Sequence, residues 1–105
     1  MKKEVIISPN AERELKKLPH EDRKKAWVGL KKWSSGELKL DIEKIKSQPN
    51  FYRLKIGNIR LVYYPLSEER VVLLLVRDRK DAYRGLSELG TKLNTAMKKL
   101  RIASG

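Results

Sequence analysis

The pattern of apolar and polar positions is clearest over residues 51–64, where two alternating runs flank the dipeptide Gly57-Asn58. Alternation with a period of two is typical of half-buried strands, and a two-residue Gly/Asn loop is typical of a tight hairpin. This loop length predicts a register in which Lys55 lies opposite Arg60. One face of the hairpin is then an apolar layer of Tyr52, Leu54, Ile56, Ile59, Leu61 and Tyr63. The other face carries Arg53, Lys55 and Arg60, flanked by Phe51, Val62 and Tyr64.

Two helices and a short strand are predicted upstream of the hairpin. The strand covers Glu4–Ile7, and Ser8 with Pro9 supplies a capping residue and a first-turn proline for a helix that ends at Pro19. A second helix is expected from His20 or Glu21 to about Trp33. Its apolar stripe, which we expect to face the core, consists of Ala26, Trp27, Leu30 and Trp33. The stretch 37–50 fits no single period, so no element is predicted there.

Two further elements are predicted downstream. The run Val71–Val76 is apolar throughout, which is typical of a strand covered on both faces, and we expect it to be the central strand. Leucines at helical spacing predict a helical tail over 85–105, although Gly90 interrupts it. The fold class is therefore α+β. We expect a small, mostly antiparallel sheet of about four strands, packed by an N-terminal helical hairpin, plus a C-terminal helix.

Composition narrows the classes of function. The 105 residues form one predicted domain, 1–105, with 25 Lys and Arg against 13 Asp and Glu and a net charge of +12. The chain has no cysteine and one histidine, His20, so thiolate chemistry is excluded and we expect no metal and no cofactor. With no secretory signal and no apolar run near the ~20 residues of a membrane span, a cytoplasmic location is expected. The charge favours a polyanion or an acidic protein as partner.

The hairpin carries the most informative charges. Like charges directly opposite each other destabilise a sheet, so folding alone gives no reason to pair Lys55 with Arg60. Arg53 lies on the same face, and 51–64 contains no acid, so we expect an unbalanced cationic cluster. A solvated outer sheet face is the plainer alternative. More cations follow the apolar strand around Tyr83, and we assign Arg77, Lys80 and Arg84 to RNA binding.

The chain resembles a known family in the same region. The order of the elements, the hairpin Tyr52–Tyr63, the strand Val71–Arg77 and the following segment Asp78–Tyr83 resemble the RelE/ParE superfamily of bacterial and archaeal toxins, over about residues 3–84. The resemblance implies a microbial RNase-like RelE fold. Members of the RelE branch are ribosome-dependent mRNA endonucleases, each silenced by a cognate antitoxin. The family often has Gly-His where this chain has Arg77-Asp78.

The resemblance also implies residue roles, which fall on Arg53, Lys55, Arg60, Arg79 and Tyr83 as catalytic residues. RNA would be cut through its 2′-OH, with Arg60 and Arg79 holding the scissile phosphate and Tyr83 stacking on or orienting a base. We expect the neighbouring cations to favour a neutral Lys55, the form that can act as the base. The expected partners are the ribosome, mRNA and an antitoxin whose acidic, toxin-wrapping segment covers the hairpin or shifts the tail, with no membrane. Two alternatives are a ParE-like DNA gyrase inhibitor and a non-catalytic RNA- or ribosome-binding module.

Overall fold

A computed structural model of the chain describes residues 3–36, 41–81 and 84–100. One five-stranded sheet has the order β1-β5-β4-β3-β2, in which β1 runs parallel to β5 and the other neighbours are antiparallel. The α+β class and the mostly antiparallel sheet are confirmed, with five strands rather than about four. The elements are β1 (Glu4–Ile7), α1 (Pro9–Lys17), α2 (His20–Ser34), β2 (Asp41–Lys44), β3 (Tyr52–Ile56), β4 (Ile59–Pro65), β5 (Arg70–Asp78) and α3 (Leu89–Leu100), with 3₁₀ turns at Arg79–Asp81 and Leu86–Glu88.

Helix α1 begins where the sequence predicts. The Ser8 hydroxyl accepts a hydrogen bond from the backbone N–H of Ala11 at 3.1 Å, and Pro9 occupies the first turn. Beyond the end of β1, side chains of α1 form hydrogen bonds with the backbone of β5 along the edge that β1 leaves unpaired. The Asn10 amide donates to the Leu74 carbonyl at 3.0 Å, and the Glu14 carboxylate accepts from the Val76 N–H at 3.0 Å. Helix α1 therefore satisfies backbone groups that a longer β1 would otherwise pair.

Helix α2 packs beside α1 on one face of the sheet, and its two tryptophans differ in position. Trp33 is buried, and its ring centroid lies 4.6 Å from that of Tyr63 in an edge-on arrangement. Trp27 is 46% exposed, so the prediction that it lies in the core was wrong. The buried stripe of α2 is Ala26, Leu30 and Trp33. Because each residue advances about 100° around a helix, Trp27 lies beside this stripe and faces solvent.

The hairpin β3–β4 has the predicted register. Lys55 pairs with Arg60 across a turn at Gly57 and Asn58, and Gly57 has the positive φ of 57° that such turns require. The predicted apolar layer contacts α1 and α2. Gly29 of α2 lies so close to Ile56 that a Cβ at this position would clash with the isoleucine side chain. Glycine thus lets α2 pack closely against β3.

The opposite face of the sheet is covered by α3. Its buried residues Leu89 and Ala96 join an apolar cluster with Phe51, Val62, Val72, Leu74 and Leu75. Gly90 lies in the first turn of α3 and does not interrupt it. Strand β5 is buried on both faces as predicted, but β4 occupies the middle of the sheet and β5 lies next to it. Among the described residues, no helix combines the length and apolar character needed to cross a bilayer.

Strand β2 is the element that the sequence did not predict. Its four residues, Asp41–Lys44, pair with β3 at the outer edge of the sheet and are mostly exposed. A short edge strand buries little apolar surface, so no hydrophobic pattern marks it. Backbone pairing with β3 is what orders it.

Candidate nucleic-acid interface

Three cations form one row across three neighbouring strands. Lys55 of β3 lies opposite Arg60 of β4, and Arg60 lies opposite Arg77 of β5. Arg53 lies two residues from Lys55 and therefore shares its face of the sheet. The structure thus brings Arg77 to the predicted hairpin cations. We call these four residues the cation row.

The acid that balances the cation row comes from β2. Glu43 lies opposite Arg53 in the register, and its Oε2 is 3.4 Å from Arg53 Nη2 and 3.3 Å from Lys55 Nζ. Arg53 is only 5% exposed, so this pairing involves a nearly buried guanidinium. The hydrogen bond from Lys55 and the charge of Arg53 lower the pKa of Glu43 below its ordinary value, although partial desolvation opposes the shift. The expectation of an unbalanced cluster was therefore wrong.

The two remaining members of the cation row are held by separate groups. Arg60 Nη1 donates to the Gly57 carbonyl at 2.8 Å, so its guanidinium lies over the hairpin turn. Arg77 Nη1 is 2.6 Å from Glu14 Oε2, which directs that side chain towards α1. Arg53 and Lys55 thus share Glu43, while Arg60 and Arg77 each have a separate acceptor, and these contacts offset the repulsion expected between like charges in adjacent strands.

The segment after β5 lies beside the hairpin turn. The backbone N–H of Arg79 donates to the Asn58 carbonyl at 2.7 Å, which fixes this 3₁₀ turn next to the tip that carries Arg60. Arg79 and Lys80 are exposed. Arg84 pairs with Asp81 at 3.2 Å and is exposed. Tyr83, the fifth proposed catalytic residue, lies outside the described residues.

The chemistry available on this surface is cationic. Arginine forks and lysine ammonium groups suit phosphate oxygens, and their charges favour a developing phosphorane. Over 3–36, 41–81 and 84–100, no group of three or more His, Cys, Asp or Glu residues is arranged to hold a metal ion. His20 starts α2, on the other face of the sheet from the cation row. The geometry therefore provides charge stabilisation, and the carboxylates of Glu43 and Glu14 lie next to the cation row.

Comparison with known proteins agrees with this fold. The family described as "ParE toxin of type II toxin-antitoxin system, parDE" matches residues 5–83. The chain belongs to the RelE/ParE superfamily of type II toxins. Toxin RelE3 of Methanocaldococcus jannaschii is 30% identical over 83 residues, covering 75% of this chain and 93% of the relative. The family match ends at residue 83, before α3 begins.

Solved structures of the superfamily share the fold. The RelB-RelE antitoxin-toxin complex from Methanococcus jannaschii matches with a TM-score of 0.64 at 28% identity, over 78% of this chain and 99% of that chain. The RelE-RelB complex from Pyrococcus horikoshii OT3 matches with a TM-score of 0.58 at 18% identity, over 81% and 100%. A mutant of E. coli toxin RelE in the free state covers 98% of this chain with a TM-score of 0.55 at 22% identity. At 18% and 22% identity, the matches to the Pyrococcus horikoshii and E. coli structures show only that the fold is shared.

Glu43 is the residue that sequence reasoning missed at this site. A local signal was present, because Asp41, Ile42 and Glu43 alternate acid, apolar and acid, which places both carboxylates on one face of a strand. The register sets Asp41 opposite Lys55 and Glu43 opposite Arg53. Acid–base complementarity between residues 41–43 and 53–55 would have indicated this pairing.

Proposed function

We propose that this superfamily member is a toxin that cleaves mRNA on the ribosome and so stops translation. The observation that supports this most is the cation row of Arg53, Lys55, Arg60 and Arg77 on one rigid face, with Arg79 fixed beside the hairpin tip. A rigid set of phosphate-binding cations is what a transition state of phosphodiester cleavage requires. Arg77, Lys80 and Arg84 extend the surface along the RNA backbone.

In the proposed reaction, the RNA supplies its own nucleophile. A base removes the 2′-OH proton, O2′ attacks the adjacent phosphorus, and the bond from phosphorus to O5′ breaks as O5′ gains a proton. Arg60 and Arg79 hold the phosphate, Arg53 supports the site from within the sheet, and Tyr83 stacks on or orients a base. Lys55 is the proposed proton-transfer group, and it must leave Glu43 when RNA binds. The products are a 2′,3′-cyclic phosphate, or its hydrolysed 3′-phosphate, and a 5′-hydroxyl.

We also propose that a cognate antitoxin with an acidic, toxin-wrapping segment silences the protein in the cytoplasm. The relatives from Methanococcus jannaschii and Pyrococcus horikoshii were solved as complexes of RelE with RelB. A net charge of +12 would otherwise bind nucleic acid without selectivity, and an acidic partner neutralises it.

Primer extension on mRNA from cells that express the chain tests the proposed activity. We expect cuts in translated mRNA, loss of cutting in Lys55→Ala and Arg79→Ala, and full activity in Lys16→Ala, an exposed α1 lysine whose removal changes the charge equally. Lys55→Arg separates catalysis from binding, because it keeps the positive charge but removes the proposed proton-transfer group. A non-catalytic RNA- or ribosome-binding module would tolerate this substitution, whereas the proposed nuclease would not. Intact mRNA with continued protein synthesis would overturn the proposal.

A second candidate is inhibition of DNA gyrase. It is favoured by one observation, that the matching family is described as ParE toxin. Gyrase supercoiling assays with purified protein distinguish the two candidates. Inhibited supercoiling and DNA breaks with intact mRNA would favour the gyrase target, whereas cut mRNA with normal supercoiling supports the endoribonuclease.

A further inference from the structure

A groove separates the start of α1 from one flank of α3 at the edge of β5. It has a volume of about 420 Å³, which is within the roughly 300–1,000 Å³ range of small-molecule sites. Leu74 of β5 and Ala96 of α3 are both buried and form its floor. We call this feature the α1–α3 groove.

The two walls of the α1–α3 groove are held differently. The α1 wall is fixed to β5, because the Asn10 amide donates to the Leu74 carbonyl at 3.0 Å and the Ser8 hydroxyl caps the helix. The α3 wall consists of residues three or four apart, which lie on one side of a helix (Glu88, Thr91, Lys92, Thr95, Ala96 and Lys99). The buried residues of α3 are Leu89 and Ala96. A ligand that contacts both walls would therefore add to the contacts that hold α3 in place.

Three cations border the α1–α3 groove. Arg13 extends from α1, and Lys92 and Lys99 lie on α3, about two helical turns apart. Over residues 3–36, 41–81 and 84–100, none of these three side chains forms an ion pair. Glu88 is the only acid among the described lining residues. The groove therefore has an excess of positive charge that an anion would neutralise.

The lining of the groove favours an anion with an aliphatic body. An arginine fork binds a carboxylate through two parallel hydrogen bonds, and the hydroxyls of Thr91 and Thr95 are further donors. Leu74, Ala96 and the ring of Pro9 present hydrocarbon. No aromatic side chain is among the described lining residues, so a nucleobase would find no ring to stack on. An aliphatic carboxylate complements both the charged and the apolar part of this surface.

We propose that the α1–α3 groove is a binding site for a carboxylate that carries a short aliphatic chain. The Arg13 guanidinium binds the carboxylate, and Lys92 and Lys99 add positive potential. The aliphatic chain lies on Leu74 and Ala96, so the bound ligand ties α3 to α1. Six of the eleven described lining residues follow residue 83, where the family match ends. The groove contains no member of the cation row, so the site does not depend on the proposed nuclease activity.

The test uses the full chain with octanoate as the probe. Calorimetry should show saturable binding of octanoate, and thermal melts should show a Tm that rises with octanoate concentration. Acetate keeps the carboxylate without the chain, octan-1-ol keeps the chain without the charge, and octylamine reverses the charge. We expect each of these three compounds to bind at least about tenfold more weakly than octanoate. Equal binding of any of them would overturn the proposal, because the groove would then not recognise both parts of the ligand.

Matched variants place the probe in the α1–α3 groove. Arg13→Ala should weaken octanoate binding at least about tenfold, and Arg13→Lys should recover only part of that loss, because lysine keeps the charge but not the fork. Ala96→Leu fills the floor of the groove and should also weaken binding at least about tenfold. Lys16→Ala, at an exposed position of α1, changes the net charge equally and should leave binding unchanged. A circular dichroism melt checks that every variant folds.

Two further measurements decide against other binding modes. Equal losses in Arg13→Ala and Lys16→Ala would mean that octanoate responds only to the net charge of +12, and this result would overturn the proposal. Hydrogen exchange in the parent chain should slow in α3 on addition of octanoate and stay unchanged in β2. Unchanged exchange in α3 at saturating octanoate would place the ligand elsewhere. Displacement of octanoate by oligouridylate at equal concentration would assign the groove to RNA instead.

Discussion

Glu43→Gln is the substitution with the most informative consequences for this site, because it changes stability and RNA binding in opposite directions. The carboxylate lies within ion-pair distance of the nearly buried Arg53 and of Lys55. Glutamine has nearly the same shape and keeps a hydrogen-bond acceptor, so the substitution removes the charge and little else. Arg53 and Lys55 would then lose their shared anion while Arg60 stays opposite Lys55.

The expected loss of stability follows from burial. A hydrogen bond to a charged group contributes about 1.5–3 kcal/mol when buried, and an exposed ion pair about 0–1 kcal/mol. The side chain of Arg53 is 7% exposed, but that of Glu43 is 44% exposed, so solvent screens the pair. We therefore expect about 1 kcal/mol of destabilisation, or a Tm lower by roughly 4 °C for a domain of this size.

RNA binding should respond in the opposite sense. A phosphate that approaches Lys55 in the parent chain competes with the Glu43 carboxylate. Without that carboxylate Lys55 is available to the phosphate, and each added phosphate contact steepens the salt dependence of single-strand binding by about 0.7. We expect tighter binding, with a slope steeper by about 0.7.

The assay combines urea unfolding with anisotropy of a labelled oligoribonucleotide, made uncleavable by 2′-O-methyl groups, between about 50 and 200 mM salt. Glu12→Gln is the control, since Glu12 is an exposed α1 acid paired with Lys16 and its loss changes net charge equally. That control should alter stability and the salt slope only slightly. If Glu43→Gln behaves like Glu12→Gln in both measurements, the Glu43 carboxylate does not restrain the cation row and the reasoning is refuted.

Three further predictions concern stability. Glu14→Ala removes the acceptor of the Val76 N–H and the partner of Arg77. Urea unfolding should therefore show a free energy of unfolding lower by about 2 kcal/mol. An unchanged urea midpoint would contradict the role given to α1. Burial raises the pKa of Tyr63 to about 12. Its contribution to stability is therefore complete below pH ~10 and is lost as the pH rises towards 12. When the stability of Tyr63→Phe is measured at increasing pH, this loss should be missing. The pKa of Glu43 is lowered, so its pH dependence runs in the opposite direction: its contribution to stability is present above the ordinary glutamate pKa and is lost as the pH falls through the lowered value. Acid titration of Glu43→Gln should lack this loss of stability.

Local chemistry in the sequence determined the elements that have strong short-range signals. Ser8 and Pro9 start α1, and Gly57 with Asn58 fixes the hairpin turn. Once that turn is two residues long, the register and the face of every hairpin side chain follow, because side chains alternate with a period of two. The pairing of Lys55 with Arg60 was therefore determined by residues that are close together in the chain.

Contacts between distant segments were decided only by the tertiary structure. Strand β2 exists because β3 offers it a free edge, and only that pairing brings Glu43 to Arg53 and Lys55. The close approach of α1 to β5 likewise gives Arg77 its partner, Glu14, from the other half of the chain. Helical periodicity grouped Trp27 with the buried stripe, but α2 packs on the sheet through Ala26, Leu30 and Trp33 and leaves Trp27 exposed. Periodicity indicates which residues share a face, whereas three-dimensional packing decides what covers that face and which charges meet there.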